Sequence, residues 1–456
     1  MSCSRMLAGV AILAVSSFAY AQIGPDVMVW DLYNTAHYGP VSNVHAYAVG
    51  TESCNIGDQN ALWQSWNNLH PVIGAGLYRL NDGRLEQLSL SWLKHGFVTI
   101  DTGNCGNCTQ TGSVLGVGCA DPYSAGLNGD RSNNGPRYQV NATTGVFTYP
   151  YDDSGPVNNA LSRRIQAHDD LINPALNSGA LYFVEGQYVT QDDAAAGNAS
   201  NNTSYRRVTF SSASGRAMTL RESTHQMTPV LQAWRDHGNG VNTPDFNVNM
   251  TKIDVSGDGR FWAAHTVTDN GDGTWHYEYA IQNLNSHRSG GGLRIPIEPG
   301  TSLTNVGFHD VNYHSGEPFD NTDWGWAEGA GEVVWSSPQS HAENANSNAL
   351  RWGTTYNFWF DANAAPVNGA GTVDLFRPGS PSSVNFTARV PGTPVTAPCP
   401  GDLDGNGFVE LADLSIQLAN FGTASGATEE DGDMDADGDV DLTDLSLMLA
   451  LFGTAC

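Results

Sequence analysis

Short runs in which apolar and polar residues alternate recur along residues 22–390 of this 456-residue chain. Residues 276–281 alternate in this way shortly after a turn sequence with two glycines, and a period of two places every second side chain on one face of a β-strand. Regular short strands separated by Gly, Asn and Asp predict a β-sandwich, with short helices near 192–202 and 229–237. The predicted strands are residues 27–32, 44–49, 97–100, 181–189, 261–267, 276–281, 331–335, 356–360, 373–376 and 384–388.

Near the C-terminus the spacing of the apolar residues changes to that of a helix. Four apolar residues at i, i+3, i+7 and i+10 form a stripe along one side of each of two helices. We predict a mainly β, sandwich-like body with long loops, followed by a small α-helical module at residues 399–456 in which each helix buries its stripe against the other. The stripes are Leu411, Leu414, Leu418 and Phe421, repeated 31 residues later as Leu442, Leu445, Leu449 and Phe452.

Each predicted helix follows a twelve-residue loop rich in carboxylates. Oxygen-bearing side chains fall at loop positions 1, 3, 5, 9 and 12, a glycine at position 6 permits a sharp turn, and position 7 offers its backbone carbonyl. This is the ligand pattern of an EF-hand-type calcium loop, although position 12 is Asp instead of a bidentate Glu. The predicted ligands of two Ca²⁺ ions are Asp402, Asp404, Asn406, Phe408, Glu410 and Asp413, and Asp433, Asp435, Asp437, Asp439, Asp441 and Asp444.

The segment 399–456 contains 13 acidic residues and no Lys or Arg. Such a cluster repels itself without cations, so we expect the two Ca²⁺ ions to drive its folding. Cys399 and Cys456 bracket the two repeats, and we expect a disulfide between them.

Spacing, loop chemistry, helix stripe and duplication agree, and with them residues 399–456 resemble a type I dockerin, the module that docks enzymes onto cohesin domains. The resemblance implies calcium binding and a cohesin-like or other extracellular protein partner. In many dockerins the cohesin-contacting pairs at loop positions 10 and 11 are Ser-Thr-like. Here they are Leu411-Ala412 and Leu442-Thr443, so the resemblance does not identify the partner.

The N-terminus has the pattern of a secretory signal at residues 1–21, with Arg5, an apolar stretch at 6–15 and Ala19-Tyr20-Ala21 before the cleavage point. The formal net charge of −27 argues against nucleic acid and anionic membranes as partners. Outside the signal, the sequence has no apolar stretch of the roughly 18 residues that a membrane helix needs. We predict a secreted protein without membrane insertion.

The body divides, by its strand pattern, into a β-rich disulfide-containing region at 22–215 and a sandwich-like region at 216–390, with one domain over 22–390 as the alternative. A Pro/Thr linker at 391–398 precedes the tail. The body cysteines are an even set in an exported protein, which indicates disulfides of undetermined connectivity. Because two of them have C-x-x-C spacing, a four-Cys zinc site is the alternative. These cysteines are Cys54, Cys105, Cys108 and Cys119.

The densest polar cluster of the body contains residue types that coordinate a divalent metal or perform acid–base chemistry on a polysaccharide. We favour the simpler interpretation, a polar loop after a strand with tryptophans in the core or at an edge. The cluster is His309, Asp310, His314, Glu317 and Asp320, followed by Trp324, Trp326 and Trp335.

Three further segments carry weaker patterns. Residues 254–259 imitate half a calcium loop but favour a hairpin turn, with Asp254 and Asp258. The cysteine-bearing loop from Asp101 to Asp121 and Tyr123 either shapes a surface groove or is simply pinned by disulfides. Asn67, Asn68 and His70 lie beside Trp63 and Trp66 in the sequence. These residues either line a sugar-binding site, with aromatic faces that stack on sugar rings, or belong to the packed core.

Two functional hypotheses follow. In the first, the body binds a polysaccharide or an extracellular neighbour and the tail anchors it to a protein partner. In the second, the body is a polysaccharide-degrading enzyme, a glycoside hydrolase or lyase. We favour the first, because the paired carboxylates of a glycosidase do not stand out in the sequence.

Overall fold

A computed structural model of the protein describes residues 23–155, 157, 159–311, 316–393, 400–435 and 437–454. The signal peptide expected at 1–21, residues 394–398 of the linker, and Cys399 and Cys456 with their expected disulfide lie outside the described residues.

The first half of the body is a sandwich of two antiparallel sheets. Its elements are β1 (Val27–Val41), β2 (Val44–Asn55), β3 (Ala61–Leu62), β4 (Val72–Asn81), β5 (Arg84–Leu90), β6 (Leu93–His95), β7 (Val114–Leu115), β8 (Ala120–Tyr123), α1 (Ala125–Gly129), β9 (Asn134–Gly135), a 3-10 helix (Arg137–Gln139), β10 (Val140–Asn141), β11 (Val146–Phe147), β12 (Ile165–His168), α2 (Asp169–Ile172), β13 (Leu181–Val189), α3 (Gln191–Ala196), β14 (Thr203–Phe210) and β15 (Met218–Leu220).

Sheet 1 has the order β1-β2-β12, with β8 also paired to β2. Sheet 2 has the order β15-β14-β13-β4-β6-β9, with β5 also paired to β4. Apolar side chains from the facing sides of both sheets form one buried core, which includes Val29, Tyr47, Leu77 and Val184. Such layers are held together because the burial of apolar surface contributes about 25 cal/mol per Å².

The second half is another antiparallel sandwich. Its elements are α4 (Gln232–His237), β16 (Asn249–Asp254), β17 (Arg260–Asp269), β18 (Trp275–Asn283), β19 (Gly290–Pro296), β20 (Leu303–His309), β21 (Gly325–Gly329), β22 (Glu332–Ser336), β23 (Thr354–Ala362), β24 (Pro366–Leu375) and β25 (Ser383–Pro391). Sheet 3 has the order β16-β17-β18-β23-β20 and sheet 4 the order β21-β22-β19-β24-β25. Their core contains Phe261, Tyr277, Trp335 and Phe360.

Sheets 2 and 3 also pack on each other, so the body has four β layers. Tyr78 and Phe183 of sheet 2 share a buried cluster with Trp234 of α4 and Ala280 of sheet 3. On β13, Val184 belongs instead to the core between sheets 1 and 2, as the alternation of side chains along a strand requires. Strand β15 lies beyond the boundary expected at residue 215 and still pairs with β14.

A buried carboxylate joins the two middle sheets. Glu185 of β13 accepts hydrogen bonds from the Tyr78 hydroxyl (3.1 Å), the backbone N–H of Val230 (2.9 Å) and Nε2 of Gln282 on β18 (2.9 and 3.0 Å). Burial raises the pKa of Glu185 above its ordinary value, and these donors oppose that rise. Buried polar groups need such partners because an unsatisfied one costs about 1–3 kcal/mol.

The tail contains the two predicted helices, α5 (Leu411–Asn420) and α6 (Leu442–Leu451), and a 3-10 turn at Glu429–Asp431. The mainly β body with a small helical tail is therefore confirmed. Each repeat hydrogen-bonds to the end of the other: Val409 pairs with Gly453 and Thr454, and Val440 pairs with Gly422 and Thr423. This reciprocal pairing explains why the Gly-Thr dipeptide recurs after each helix.

The expected burial of both apolar stripes is wrong. Leu411 and Leu418 are 69% and 52% exposed, and Leu442 and Leu449 are 71% and 55% exposed. The buried side chains in the described part of the module are instead Val409, Val440, Asp413, Asp433, Asp444, Gln417 and Met448. The inward side of α5 therefore carries Asp413 and Gln417, whose Nε2 donates to the Gly432 carbonyl at 2.9 Å, and the inward side of α6 carries Asp444 and Met448.

Candidate functional site

In the first acidic loop, residues 402–413, backbone N–H groups donate hydrogen bonds to carboxylates of the same loop. Asp413 Oδ1 accepts from the N–H groups of Leu403 (2.7 Å) and Asp404 (3.0 Å), while its Oδ2 accepts from Glu410 N–H (2.8 Å). Asp402 accepts from the N–H of Asn406 at 3.0 Å. Carboxylate oxygens of Asp402, Asp404 and Asp413 lie within 4.8 Å of one another, close enough to share a metal ion.

The second loop repeats this arrangement. Asp444 Oδ1 accepts from Met434 N–H (2.8 Å) and its Oδ2 from Asp441 N–H (2.7 Å). Carboxylate oxygens of Asp433, Asp435 and Asp444 also lie within 4.8 Å of one another, as do those of Asp439, Asp441 and Asp444. Asp413 and Asp444 additionally cap the first turns of α5 and α6, so each fixes its loop to the start of its helix.

Several features of the loops fit a bound cation. The glycines at loop position 6, Gly407 and Gly438, have φ values of 88° and 93°, a region that favours glycine. Oδ1 of Asp439 is buried and makes no hydrogen bond within the described residues. Desolvation, followed by the charges of neighbouring carboxylates, raises the pKa of Asp404 and Asp435. A divalent cation coordinated by oxygen atoms would relieve this repulsion.

The exposed leucines and phenylalanines of the tail define a docking face: Leu411, Leu418, Phe421, Leu442, Leu447, Leu449 and Phe452, each between 39% and 71% exposed. These residues come from equivalent positions of both helices, apart from Leu447. Scattered single exposed apolar residues are ordinary on protein surfaces, but here seven belong to one small module.

The body cysteines form two disulfides, Cys54–Cys105 and Cys108–Cys119. The expectation of oxidised cysteines is confirmed, and the alternative of a four-Cys zinc site is wrong because disulfide sulfurs are not thiolate ligands. Asp101 lies near the sulfurs of Cys108 and Cys119, but this group lacks free thiolates for the same reason. The bridges hold the 105–119 loop against β2.

The polar cluster expected around residues 309–320 does not converge on one centre within the described residues. His309 Nε2 lies 3.3 Å from Glu86 Oε2, whereas Asp310 accepts from Asn348 Nδ2 at 2.6 Å. Burial raises the pKa of Asp310 to about 6. His314 lies outside the described residues.

The later members of that cluster have separate structural roles. Glu317 accepts from the backbone N–H groups of Arg137 (2.6 Å) and Tyr138 (3.1 Å), and Asp320 caps Thr322 at the surface. Trp324 and Trp335 are buried, with indole N–H groups donating to backbone carbonyls, while Trp326 is 48% exposed. The favoured interpretation, a polar loop with core tryptophans, fits these contacts.

The half calcium loop at residues 254–259 is a hairpin turn between β16 and β17. Asp254 pairs with Arg260, and Asp258 accepts from the Thr143 hydroxyl at 2.7 Å and from the backbone N–H of Arg288 at 3.1 Å. Both carboxylates therefore have structural partners.

A groove of about 290 Å³ opens beside the disulfide-pinned loop. Exposed aliphatic side chains stand around it: Val98, Ile100 and Leu127 are 61%, 59% and 48% exposed. Val98 has a φ of 68°, an outlier for a β-branched residue and a form of strain that clusters at functional sites. The strand expected at 97–100 is wrong, since only Thr99 makes an isolated bridge there.

Buried polar side chains also line this groove. Lys94 Nζ donates to the Ser132 carbonyl at 2.7 Å. His95 Nδ1 lies 3.0 Å from His70 Nε2, and burial lowers the pKa of His95 to about 2, which keeps that imidazole neutral. Burial raises the pKa of Asp121 to about 7, and Asp121 Oδ1 accepts from the backbone N–H of Ile100 at 2.8 Å.

An aromatic strip of Tyr151, Tyr149 and Trp66 continues from the groove. The Tyr151 ring stacks on His95 with centroids 3.4 Å apart, and Tyr149 lies 6.4 Å from Tyr151. The Tyr149 hydroxyl donates to the Ser65 carbonyl at 3.0 Å, next to Trp66, which is 63% exposed. Tyr149 and Trp66 are 41% and 63% exposed, so both present aromatic surface to solvent.

The other residues of the expected sugar site are structural. Trp63 and His70 are buried. Asn67 Nδ2 donates to Gln64 Oε1 at 2.6 Å, and Asn68 Nδ2 donates to the Phe147 carbonyl at 3.0 Å. Trp66 is the exposed member of that set, while Asn67 and Asn68 are half-buried. Sequence reasoning did not identify the tyrosines that accompany Trp66, because they lie some 80 residues further along the chain.

No helix within the described ranges is long and apolar enough to cross a membrane.

No protein-family model matches the sequence, and no curated protein matches it. Among solved structures, the serine-rich repeat adhesion glycoprotein of Streptococcus agalactiae aligns over 76% of this chain and 89% of its own, at 8% identity and a TM-score of 0.20. An exo-chitosanase of Amycolatopsis orientalis in complex with a glucosamine derivative aligns over 76% of this chain and 25% of its own, at 10% identity and a TM-score of 0.13. Both TM-scores are too low to relate either protein to this chain.

Proposed function

We propose that this is a secreted modular protein whose C-terminal module binds two Ca²⁺ ions and docks the protein onto a cohesin-like or other extracellular protein. The observation that carries the proposal is the duplicated docking face, whose leucines are exposed at equivalent positions of α5 and α6. The extracellular setting agrees with the two disulfides of the body.

Calcium is the cation that best suits the two loops. Each offers carboxylates and an amide or further carboxylate at the predicted positions, and hard oxygen ligands in a flexible loop are what Ca²⁺ prefers. The ion would hold each loop against the start of its helix, where Asp413 and Asp444 are buried. The ions would therefore fix the relative position of α5 and α6, which together form the docking face.

The docking face can be tested with the double variant Leu411→Asp/Leu442→Asp. The two side chains are 69% and 71% exposed, so the module should fold and bind calcium normally. A leucine buried in an interface contributes about 1.5–3 kcal/mol, so we expect affinity for the partner to fall by at least about tenfold for each leucine. The measurement is surface plasmon resonance against cohesin domains and cell-envelope extract, with the calcium affinity measured in parallel.

Glu429→Asp/Glu430→Asp serves as the control, because these exposed acidic residues lie in the same module and belong to neither helix nor to the docking face. Loss of calcium affinity in the leucine variant would mean that the leucines belong to the core. Unchanged binding to every partner would overturn the docking proposal.

For the body we propose polysaccharide binding along the groove and the aromatic strip. Aromatic faces with polar edges suit sugars, which combine apolar C–H faces with hydroxyl groups. The exposed Asp130, Ser132 and Asn133 in the groove lining supply hydrogen-bonding groups at one end, and Trp66 supplies an exposed ring at the other. A face that combines a groove with a strip of rings suits an extended chain better than a single compact ligand.

Trp66→Ala should weaken retention on insoluble neutral polysaccharides about tenfold, because the exposed ring would lose its stacking partner. Trp326→Ala is the control, since Trp326 is 48% exposed on sheet 4, in the other half of the body. Affinity electrophoresis on a panel of neutral glycans gives the comparison. Equal retention of both variants and the unsubstituted protein would contradict this assignment.

The alternative is a polysaccharide-degrading enzyme that uses the two carboxylates lining the groove. Burial raises the pKa of Asp121 to about 7, while the Ser132 hydroxyl and N–H lower the pKa of Asp130. Environments that separate two carboxyl pKa values are typical of acid–base pairs. Asp121 is only 1% exposed, which favours binding over catalysis, and release of soluble sugar that is lost in Asp130→Asn would favour the enzyme.

A further inference from the structure

A small cavity lies between the two halves of the body. None of its lining residues belongs to the C-terminal module. Its volume is about 20 Å³, and its lining includes three arginines. Arg137 comes from the 3-10 helix of the first half, while Arg351 and Arg377 come from the second half. The other polar side chains that line it are Tyr138, His287, Ser289, Glu317 and Thr354.

The arginines present buried N–H donors without acceptors. Arg137 and Arg351 are each only 5% exposed, and Arg377 is half-buried. Among the guanidinium atoms of these three arginines, Nη1 of Arg137, Nε and Nη1 of Arg351, and Nε of Arg377 are buried and make no hydrogen bond within the described residues. Buried donors in native proteins almost always have a partner, so four in the lining of one cavity indicate a missing acceptor.

The guanidinium groups are held in place by their remaining contacts. Arg137 Nε donates to the Ser91 carbonyl at 3.0 Å, and Arg351 Nη2 donates to the carbonyls of Ala345 and Ser347 at 2.9 Å. Arg351 also lies over the Phe319 and Phe376 rings, with centroid distances of 4.3 and 4.7 Å. Because these contacts fix the side chains, the free donors cannot simply rotate into solvent.

The nearby carboxylates do not supply the missing acceptor. Glu317, which lines the cavity, accepts from the backbone N–H groups of Arg137 and Tyr138. Glu317 acts through its charge on Arg137 and Arg351, Glu185 acts on Arg137, and Asp258 acts on Arg377. Both sets of oxygens already accept from other groups, Glu185 from Gln282 and Asp258 from Arg288 N–H among others.

We infer that the cavity binds one monatomic halide anion, chloride under physiological conditions, between the guanidinium groups of Arg137, Arg351 and Arg377. A volume of about 20 Å³ suits one particle of about the size of a water molecule, which favours a monatomic anion over phosphate, sulfate or an organic carboxylate. An anion accepts from several donors at once and offsets buried positive charge, whereas a water molecule supplies only the hydrogen-bond acceptor. The ion would join the first half of the body to the second.

The test compares thermal unfolding of the full chain in chloride, bromide and gluconate at equal ionic strength and fixed calcium. A ligand that binds only the folded state stabilises it in proportion to ln(1 + [L]/Kd), so we expect Tm to keep rising with the logarithm of halide concentration, by about 5 °C at roughly a hundred times Kd, but not to rise in gluconate. Bromide-soaked crystals should show an anomalous peak in the cavity. Density for water alone, with the same Tm in all three salts, would overturn the proposal.

Arg377→Gln removes one donor from the least buried of the three arginines and should abolish the halide-dependent rise in Tm. Arg221→Gln is the matched control, because Arg221 is exposed and donates to Thr209 Oγ1, away from the cavity. A halide effect that persists unchanged in Arg377→Gln would place the ion elsewhere. If Arg377→Gln fails to fold, the bromide peak in the unsubstituted protein still decides the question.

Discussion

Removal of calcium is expected to unfold residues 400–454 while the body remains folded. The module holds 13 acidic residues without a basic one, and its loops bring three carboxylates at a time within 4.8 Å. At a calcium concentration about a hundred times the dissociation constant, each site would stabilise the folded module by about 2.7 kcal/mol. Hydrogen exchange read by mass spectrometry should show fast exchange of the α5 and α6 amides in chelator and slow exchange in calcium.

Single-site variants sharpen this test. Asp402→Ala and Asp433→Ala should each weaken one site and leave the other largely intact, because each loop carries its own ligands. Glu429→Ala removes an exposed acidic residue that belongs to neither ligand set and should leave exchange unchanged. Equal protection of the helices with and without calcium would refute the metal-dependent fold.

Glu185→Ala is expected to destabilise the whole body by about 3–5 kcal/mol, because it leaves the Tyr78 hydroxyl, the Val230 N–H and the Gln282 amide buried without an acceptor. The two halves share the core that contains Phe183 and Ala280. One cooperative urea transition should therefore shift as a unit, with fluorescence and circular dichroism coincident.

Two control variants are compared with Glu185→Ala. Glu185→Gln keeps an acceptor oxygen of nearly the same shape and should cost much less. Glu222→Ala breaks an ion pair with Arg207 at the surface, where such pairs contribute about 0–1 kcal/mol. A loss below about 1 kcal/mol for Glu185→Ala, or a shift confined to one of two separate transitions, would show that the halves are independent domains.

Much of the body could be predicted from local patterning. The strand expected at 276–281 lies within β18, and that at 261–267 lies within β17. Strands such as β4 were missed because the middle sheets are covered on both faces. Burial along β4 follows no simple alternation, and a strand buried on both sides loses the period of two on which its prediction depends.

The candidate sites also differ in whether they depend on residues close together in the sequence or far apart. Loop spacing alone predicted that Asp402, Asp404 and Asp413 would come together, because their separation along the chain is short. The sequence offered a groove at the cysteine-bearing loop and Trp66 as separate hypotheses, but the way they are joined could not be predicted, since long-range packing brings Ser65 next to Tyr149 and Lys94 next to Ser132. The arginine cavity depends on Arg137 meeting Arg351 across more than 200 residues.

The sequence by itself determined the mainly β body, the acidic loops, the two helices that follow them and the even set of body cysteines. These depend on neighbours within about a dozen positions, where covalent geometry fixes which side chains share a face. The tertiary structure alone decided the cysteine pairing, the exposure of Leu411 and Leu442, and the burial of Glu185. Those outcomes depend on which distant surfaces meet, because burial is a property of the whole packed chain and not of any one segment.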